Sequence, residues 1–147
     1  EFGHFTTGSL TFAYPGKYTV ASSVVTDSTT QHIVVTALGT IMLVQNYEEE
    51  IPSGLLNVMF DKMVEEAKAL AFPIERTELS RKISNGKTMK GVRAHYKGCD
   101  DDVTIDITVT PSGKGGFLVL TMHDNYTSPE EKQIIERFWE TLALKDE

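Results

Sequence analysis

Val103, Ile105, Ile107 and Val109 alternate with Thr104, Asp106 and Thr108. A strict two-residue period of this kind belongs to a strand with one dry face and one wet face. Such a strand needs neighbours, and the flanking sequence supplies them. Asn85-Gly86 is a strong hairpin signal, because both central residues of a type I′ turn need positive φ. Segments 98–101 and 111–116 carry the glycines, aspartates and proline of two further loops. The expected strands are 74–84, 87–97, 102–110 and 117–123. Residues 117–122 are apolar on both sides, which predicts a strand buried from both directions.

The two turns define registers. A two-residue loop at Asn85-Gly86 sets Ser84 opposite Lys87, Leu79 opposite Val92 and Glu78 opposite Arg93. A four-residue loop at 98–101 sets Lys97 opposite Asp102, Ala94 opposite Ile105 and Arg93 opposite Asp106. Together they place Leu79, Val92, Ala94, Tyr96, Val103, Ile105 and Ile107 on one face. Arg93 then lies between two carboxylates on the wet face, each pair contributing about 1 kcal/mol or less.

Upstream, the Thr- and Val-rich first third reads as four short strands at 9–14, 17–25, 33–38 and 41–44. Pro15-Gly16, read as a type II turn, joins the first two, and Gly39-Thr40 joins the last two as a tight hairpin. From Ser53 the period changes. Leu56, Phe60, Met63, Ala67 and Leu70 recur at helical spacing, with Leu55 and Met59 widening the stripe, until Pro73 stops the helix. A second helix begins at Ser128, an N-cap followed by Pro129 and by Glu131 three residues on, the signature of a capping box. Ile134, Ile135, Phe138 and Leu142 form its buried stripe, with Trp139 beside them. The expected class is therefore α+β: one domain over 1–147, an antiparallel sheet with helix layers.

That element order resembles the PsbP/DcrB-like superfamily, which includes the Mog-type Ran-binding proteins. The resemblance is carried at the start by Gly8-Ser9-Leu10-Thr11-Phe12-Ala13-Tyr14-Pro15-Gly16-Lys17-Tyr18, and at the end by the strand 117–122 followed by the helix 131–142. Tyr18 stands where the family commonly has Trp, and the Arg-Asp pair of the DcrB-like type VI secretion chaperones is absent. The resemblance implies a curved antiparallel sheet in an α/β/α sandwich. It also implies a non-catalytic binding or accessory role toward a protein partner, and an extracytoplasmic location.

Composition narrows the chemistry. A net charge of −7 and a pI near 5.1 argue against general nucleic-acid binding, which needs a basic footprint. No stretch has the apolar length of a transmembrane segment. The first residues, Glu1-Phe2-Gly3-His4, have neither an initiating Met nor a signal-peptide pattern, so a processed or trimmed form is expected. Gly113-Lys114-Gly115-Gly116 lacks the Ser/Thr and following helix of a phosphate loop. His4, His32, His95 and His123 have no helical ligand spacing, and Asp100-Asp101-Asp102 lacks the Gly and distal Glu of a calcium loop. Cys99, alone and beside aspartates, is a poorly stabilised thiolate with no base nearby on its strand. No catalytic, cofactor-binding or metal residue is therefore assigned. The competing reading is a small hydrolase using His123 and Asp124 with a nucleophile from a loop. The segment 76–97 is basic, with Arg76, Arg81, Lys82, Lys87, Lys90, Arg93 and Lys97 against Glu78. Cross-strand acids account for much of that charge and compete with its reading as a binding face.

Overall fold

The computed structural model describes residues 1–37, 40–69, 73–84, 86–98 and 100–145. Ten strands and two helices are described. They run β1 (Phe2–Thr7), β2 (Leu10–Pro15), β3 (Ala21–Thr26), β4 (Thr29–Ala37), β5 (Thr40–Tyr47), α1 (Leu55–Ala69), β6 (Ile74–Lys82), β7 (Thr88–Lys97), β8 (Asp102–Ser112), β9 (Gly115–Asp124), α2 (Pro129–Thr141) and β10 (Ala143–Leu144). The class is α+β and the sheets are antiparallel. Seven strands form one sheet in the order β3-β4-β5-β9-β8-β7-β6, and β1-β2-β10 form a second. Neither is strongly curled.

Strand β9 is the middle strand of seven, and Phe117, Leu118 and Val119 are all buried, as expected from a segment apolar on both sides. Its two faces feed two cores. Leu118 joins Val92, Ala94, Val103, Ile105 and Ile107 beneath Leu55 and Phe60 of α1. Phe117 and Val119 join Val44, Met42 and Met89 beneath Ile135, Phe138, Trp139 and Leu142, with Leu10 and Phe12 of the small sheet on the far side. The helices thus cover opposite faces of the large sheet. Helix α2 also packs against β2, where the Phe12 and Phe138 ring centroids are 5.0 Å apart. The capping box forms as expected: Ser128 Oγ accepts from the Glu131 amide at 3.2 Å, and Glu131 Oε1 accepts from the Ser128 amide at 3.4 Å.

Several expectations are corrected. Five strands precede α1, because β1 pairs with β2 from Phe2 opposite Pro15 to Thr7 opposite Leu10. The Pro15-Gly16 turn does not join two paired strands. The Tyr18 amide closes a turn onto Pro15 O at 3.0 Å with Gly16 and Lys17 at its centre, and the next strand starts only at Ala21, in the other sheet. The third loop is shorter than expected, since Ser112 pairs with Gly115 and only Gly113, at φ +59°, and Lys114 lie between them. Thr40 pairs with Ala37, while Gly39 lies outside the described residues, as do Leu70, Asn85 and Cys99.

The β6–β7 register differs by one residue from the expected one. Thr77, not Glu78, lies opposite Arg93, and Leu79 lies opposite Gly91. The Ile83 amide donates to Lys87 O at 2.9 Å and the Gly86 amide donates to Ile83 O at 3.0 Å, with Gly86 at φ +79°. This is a three-residue connection whose glycine takes the left-handed position. Packing selects it. In this register Ile83 and Met89 share the face under α2, both buried, and the Ser84 amide reaches Leu142 O at 2.8 Å. The expected register would have turned Ile83 to the other face. The cost falls on Leu79, which leaves the dry face and shares the side of Arg93. The β7–β8 register is as expected, with Arg93 opposite Asp106 and Lys97 opposite Asp102.

Candidate functional site

Asp106 was expected to be one of two wet-face partners of Arg93, in a weak exposed pair. It is instead 3% exposed and clamped by two arginines. Arg93 donates through Nε to Oδ1 at 2.7 Å and through Nη2 to Oδ2 at 2.9 Å, while Arg81 Nη2 donates to Oδ2 at 3.0 Å. Arg81 also forks onto Glu136 of α2 at 2.8 and 3.1 Å and lies over the Trp139 ring. Burial alone would raise the Asp106 pKa, but the hydrogen bonds and charges of Arg93 and Arg81 outweigh it and hold the carboxyl below its usual range. The acid works because it lies under α2, which supplies the second carboxylate to Arg81. The basic segment is thereby divided. Arg81 ties the sheet to α2 while Arg93 pairs with Asp106 within the sheet, and Arg76, on the other face, lies over Phe60 and donates to Asn57 of α1 at 3.0 Å.

The histidines do not converge. His4 lies exposed on β1. His32 is buried between Ser22, at 2.7 Å from Nδ1, and Thr7, at 3.0 Å from Nε2, and burial lowers its pKa. His95 bonds Asp102 at 2.6 Å. His123 shares a row with His95 through Thr104, so the two are separated by two strand spacings, roughly 9–10 Å. Burial first, and Lys132 second, lower the His123 pKa. Asp124 accepts from the Tyr126 amide at 2.9 Å and from the Thr127 hydroxyl at 3.3 Å, so its carboxylate closes the turn before α2. Successive strand residues face opposite ways, and His123 and Asp124 do not aim at one point. Asp100 O accepts from Asn125 and Tyr126, which binds the aspartate loop to that same turn. Among the described residues no three His, Cys, Asp or Glu side chains gather as a metal site.

Among the described residues, open clefts lie at two places of note. One, of about 990 Å³, lies between the start of β1, the Pro15–Lys17 turn and α2, with Glu130, Glu136, Arg137 and Glu140 along its wall. The other, of about 310 Å³, lies beside Gly113–Gly116 and the buried Asn46, whose amide donates to Thr7 at 2.9 Å.

The most unusual surface is elsewhere. From Tyr18 to Tyr47 the only formally charged side chain is Asp27, in a chain with 24% charged residues. The fold gathers this stretch into β3, β4 and β5, at one side of the large sheet. Strand β5 buries Thr40, Met42, Val44 and Asn46 and leaves Ile41, Leu43, Gln45 and Tyr47 half-exposed. Ile33 lies opposite Leu43, and Val35 opposite Ile41. Leu120 and Met122 of β9 continue those two rows. Among the described residues helix α1 rests chiefly on β7 and β8, and Leu43, Leu120 and Met122 pack against the core beneath it, so Ile33, Val35 and Ile41 lie at the outer side of this face. Val35 on this face is 53% exposed, and at the β3 edge Val24, which shares the opposite face with Thr30, and Val25 are 75% and 51% exposed. Only Val58 and Tyr126 are comparable among the described residues. The signal in the sequence was the missing charge rather than any motif, and a search for reactive groups passes over it.

Protein-family models give no match to this chain, and no curated protein matches it significantly. Among the described residues no helix is long and apolar enough to cross a membrane.

Proposed function

We propose that this chain is a non-catalytic binding module that docks on another polypeptide through the uncharged β3–β5 face, with an α/β/α architecture of the PsbP/DcrB-like kind. The observation that carries the reading is the apolar surface made by Ile33, Val35 and Ile41, with Leu43 at its inner margin, on strands that carry no charge. Contiguous apolar surface of this kind on a water-facing sheet marks contact with a partner. The two helices on opposite faces of the large sheet, and the closing β9–α2 succession, support the architectural part. The use of Arg93 within the sheet, on Asp106, and of Arg81 as a tie from Asp106 to Glu136 of α2 supports a scaffold role for the basic segment.

A photo-crosslinking residue at Val35 tests the docking face. It is expected to trap a polypeptide that the same residue at Lys114, on the distant β8–β9 turn, does not. Equal labelling at both positions, or none at Val35, overturns the reading.

A further inference from the structure

We propose that β3 is a self-pairing edge, and that two copies of this chain join across a two-fold axis by antiparallel β3–β3 pairing. This goes beyond the docking reading above: it uses the β3 edge and leaves the adjoining β4–β5 face free for the partner proposed there.

Strand β3 ends the large sheet, and all six of its residues, Ala-Ser-Ser-Val-Val-Thr, are exposed. An edge strand presents unpaired N–H and C=O groups, which proteins normally guard with charge, proline, a bulge or a covering loop. The opposite edge is guarded in this way: β6 carries Glu75, Arg76, Glu78, Arg81 and Lys82. Strand β3 carries no charge and no proline, and its valines favour extended pairing. A β-bulge follows Val24, so regular pairing is confined to the stretch 21–24.

Self-complementarity points to a second copy as the partner, and the missing charge on this edge permits it. A chain at −7 repels another through most of its surface, and an uncharged strand beside uncharged β4 and β5 is where two copies meet without that penalty. An antiparallel strand is also complementary to itself about a two-fold axis, so the contact closes at two copies and leaves only the charged β6 edges outward in the joined sheet. A two-fold axis normal to the sheet keeps every side chain on its own face. Residues opposed across it therefore share parity, and Ser22 or Ser23 lies on the axis. Pairing then extends the apolar face of β4 and β5 into that of the second copy. The regular stretch is short, so the dimer is expected to be a weak, dissociable one.

Sedimentation of the purified chain from about 1 to several hundred micromolar tests this directly, as the range spans the weak dimers expected of small contacts. A monomer–dimer equilibrium is expected. Ser23→Lys places like charges near the axis and is expected to weaken the dimer by about tenfold or more, with an unchanged circular dichroism spectrum and thermal midpoint. In a Cys99→Ser background, Ser22→Cys or Ser23→Cys is expected to form an intermolecular disulfide that Lys90→Cys, on β7, does not. A strictly monomeric chain, a dimer indifferent to Ser23→Lys, or equal crosslinking at Lys90→Cys overturns the inference. If the chain is monomeric while Val35 still traps other polypeptides, self-pairing fails and the docking face stands. If Val35 traps nothing as well, both fall.

Discussion

Asp106 and His32 show how burial gives ordinary side chains opposite duties. Asp106 is ionised at a cost that two guanidinium groups more than offset, so removing the acid leaves Arg81 and Arg93 facing each other under α2. Asp106→Ala is expected to lose on the order of 3–5 kcal/mol of stability, the usual result of breaking a buried pair from one side. Arg93→Ala should lose far less, because Arg81 still holds the carboxylate and Arg93 is 42% exposed. Urea unfolding of the two variants checks the ranking, and equal losses would contradict it. The folded pKa of Asp106 is depressed, so its contribution is present above the ordinary carboxylate range and is lost as pH falls through the folded value. His32 behaves differently. Its folded pKa is lowered by burial, so below about 6.5 the unfolded chain takes up a proton that the folded chain resists. Stability should therefore decline as pH falls from 7 toward 5. His32→Gln should flatten that decline without abolishing it, because the His123 pKa is lowered too. Unfolding midpoints at pH 7.5 and 5.5 measure it; an unchanged slope in the variant would refute the assignment.

At the scale of elements, the β6–β7 hairpin is set by a conflict between turn chemistry and packing. Asn85-Gly86 favours a two-residue loop, while burial of Ile83 beside Met89 demands the longer one. Gly86 then occupies the left-handed region with open space around the position of a β-carbon. Gly86→Ala meets no clash and is expected to cost about 1–2 kcal/mol from backbone strain alone. A thermal midpoint equal to that of the unaltered chain would show that the turn reorganises. Helix α2 depends on more than its capping box. Phe138 and Trp139 are each about fully buried, and the Trp139 indole donates to Thr121 Oγ1 at 3.0 Å.

For the whole molecule, α2 is the piece that joins the two sheets. It fills the core between β2 and the large sheet, and β10 beyond it adds to the small sheet through Ala143–Thr11 and Leu144–Leu10. Deleting the chain from Ser128 onward is expected to remove a buried aromatic pair worth several kcal/mol, a large share of a domain's stability. The product should lack a cooperative unfolding transition; a soluble product that unfolds cooperatively would show α2 to be an accessory.

The alternation in 103–109, the doubly apolar 117–122, the capping box and the change of period after Ser53 all depend on neighbours a few residues away. That is why the β8 and β9 strands, both helices and the α+β class were legible in the sequence. The Arg93–Asp106 pairing was legible for the same reason, since a short loop carries its register. What lay beyond local chemistry was every choice between faces. Leu79 and Ile83 compete for the dry side, and only the presence of α2 over Met89 decides for Ile83. Likewise β2 pairs with β1 and β10, while β3 joins the other sheet, because Leu10 and Phe12 are buried against a helix more than a hundred residues away. The stretch 18–47, with Asp27 its single formal charge, was visible as composition. It became one continuous surface only when β4 and β5 paired beside β9, and α1 settled chiefly on β7 and β8 and left its outer side open. Local sequence determines which segments extend or coil; burial of distant apolar groups decides which of their faces meet.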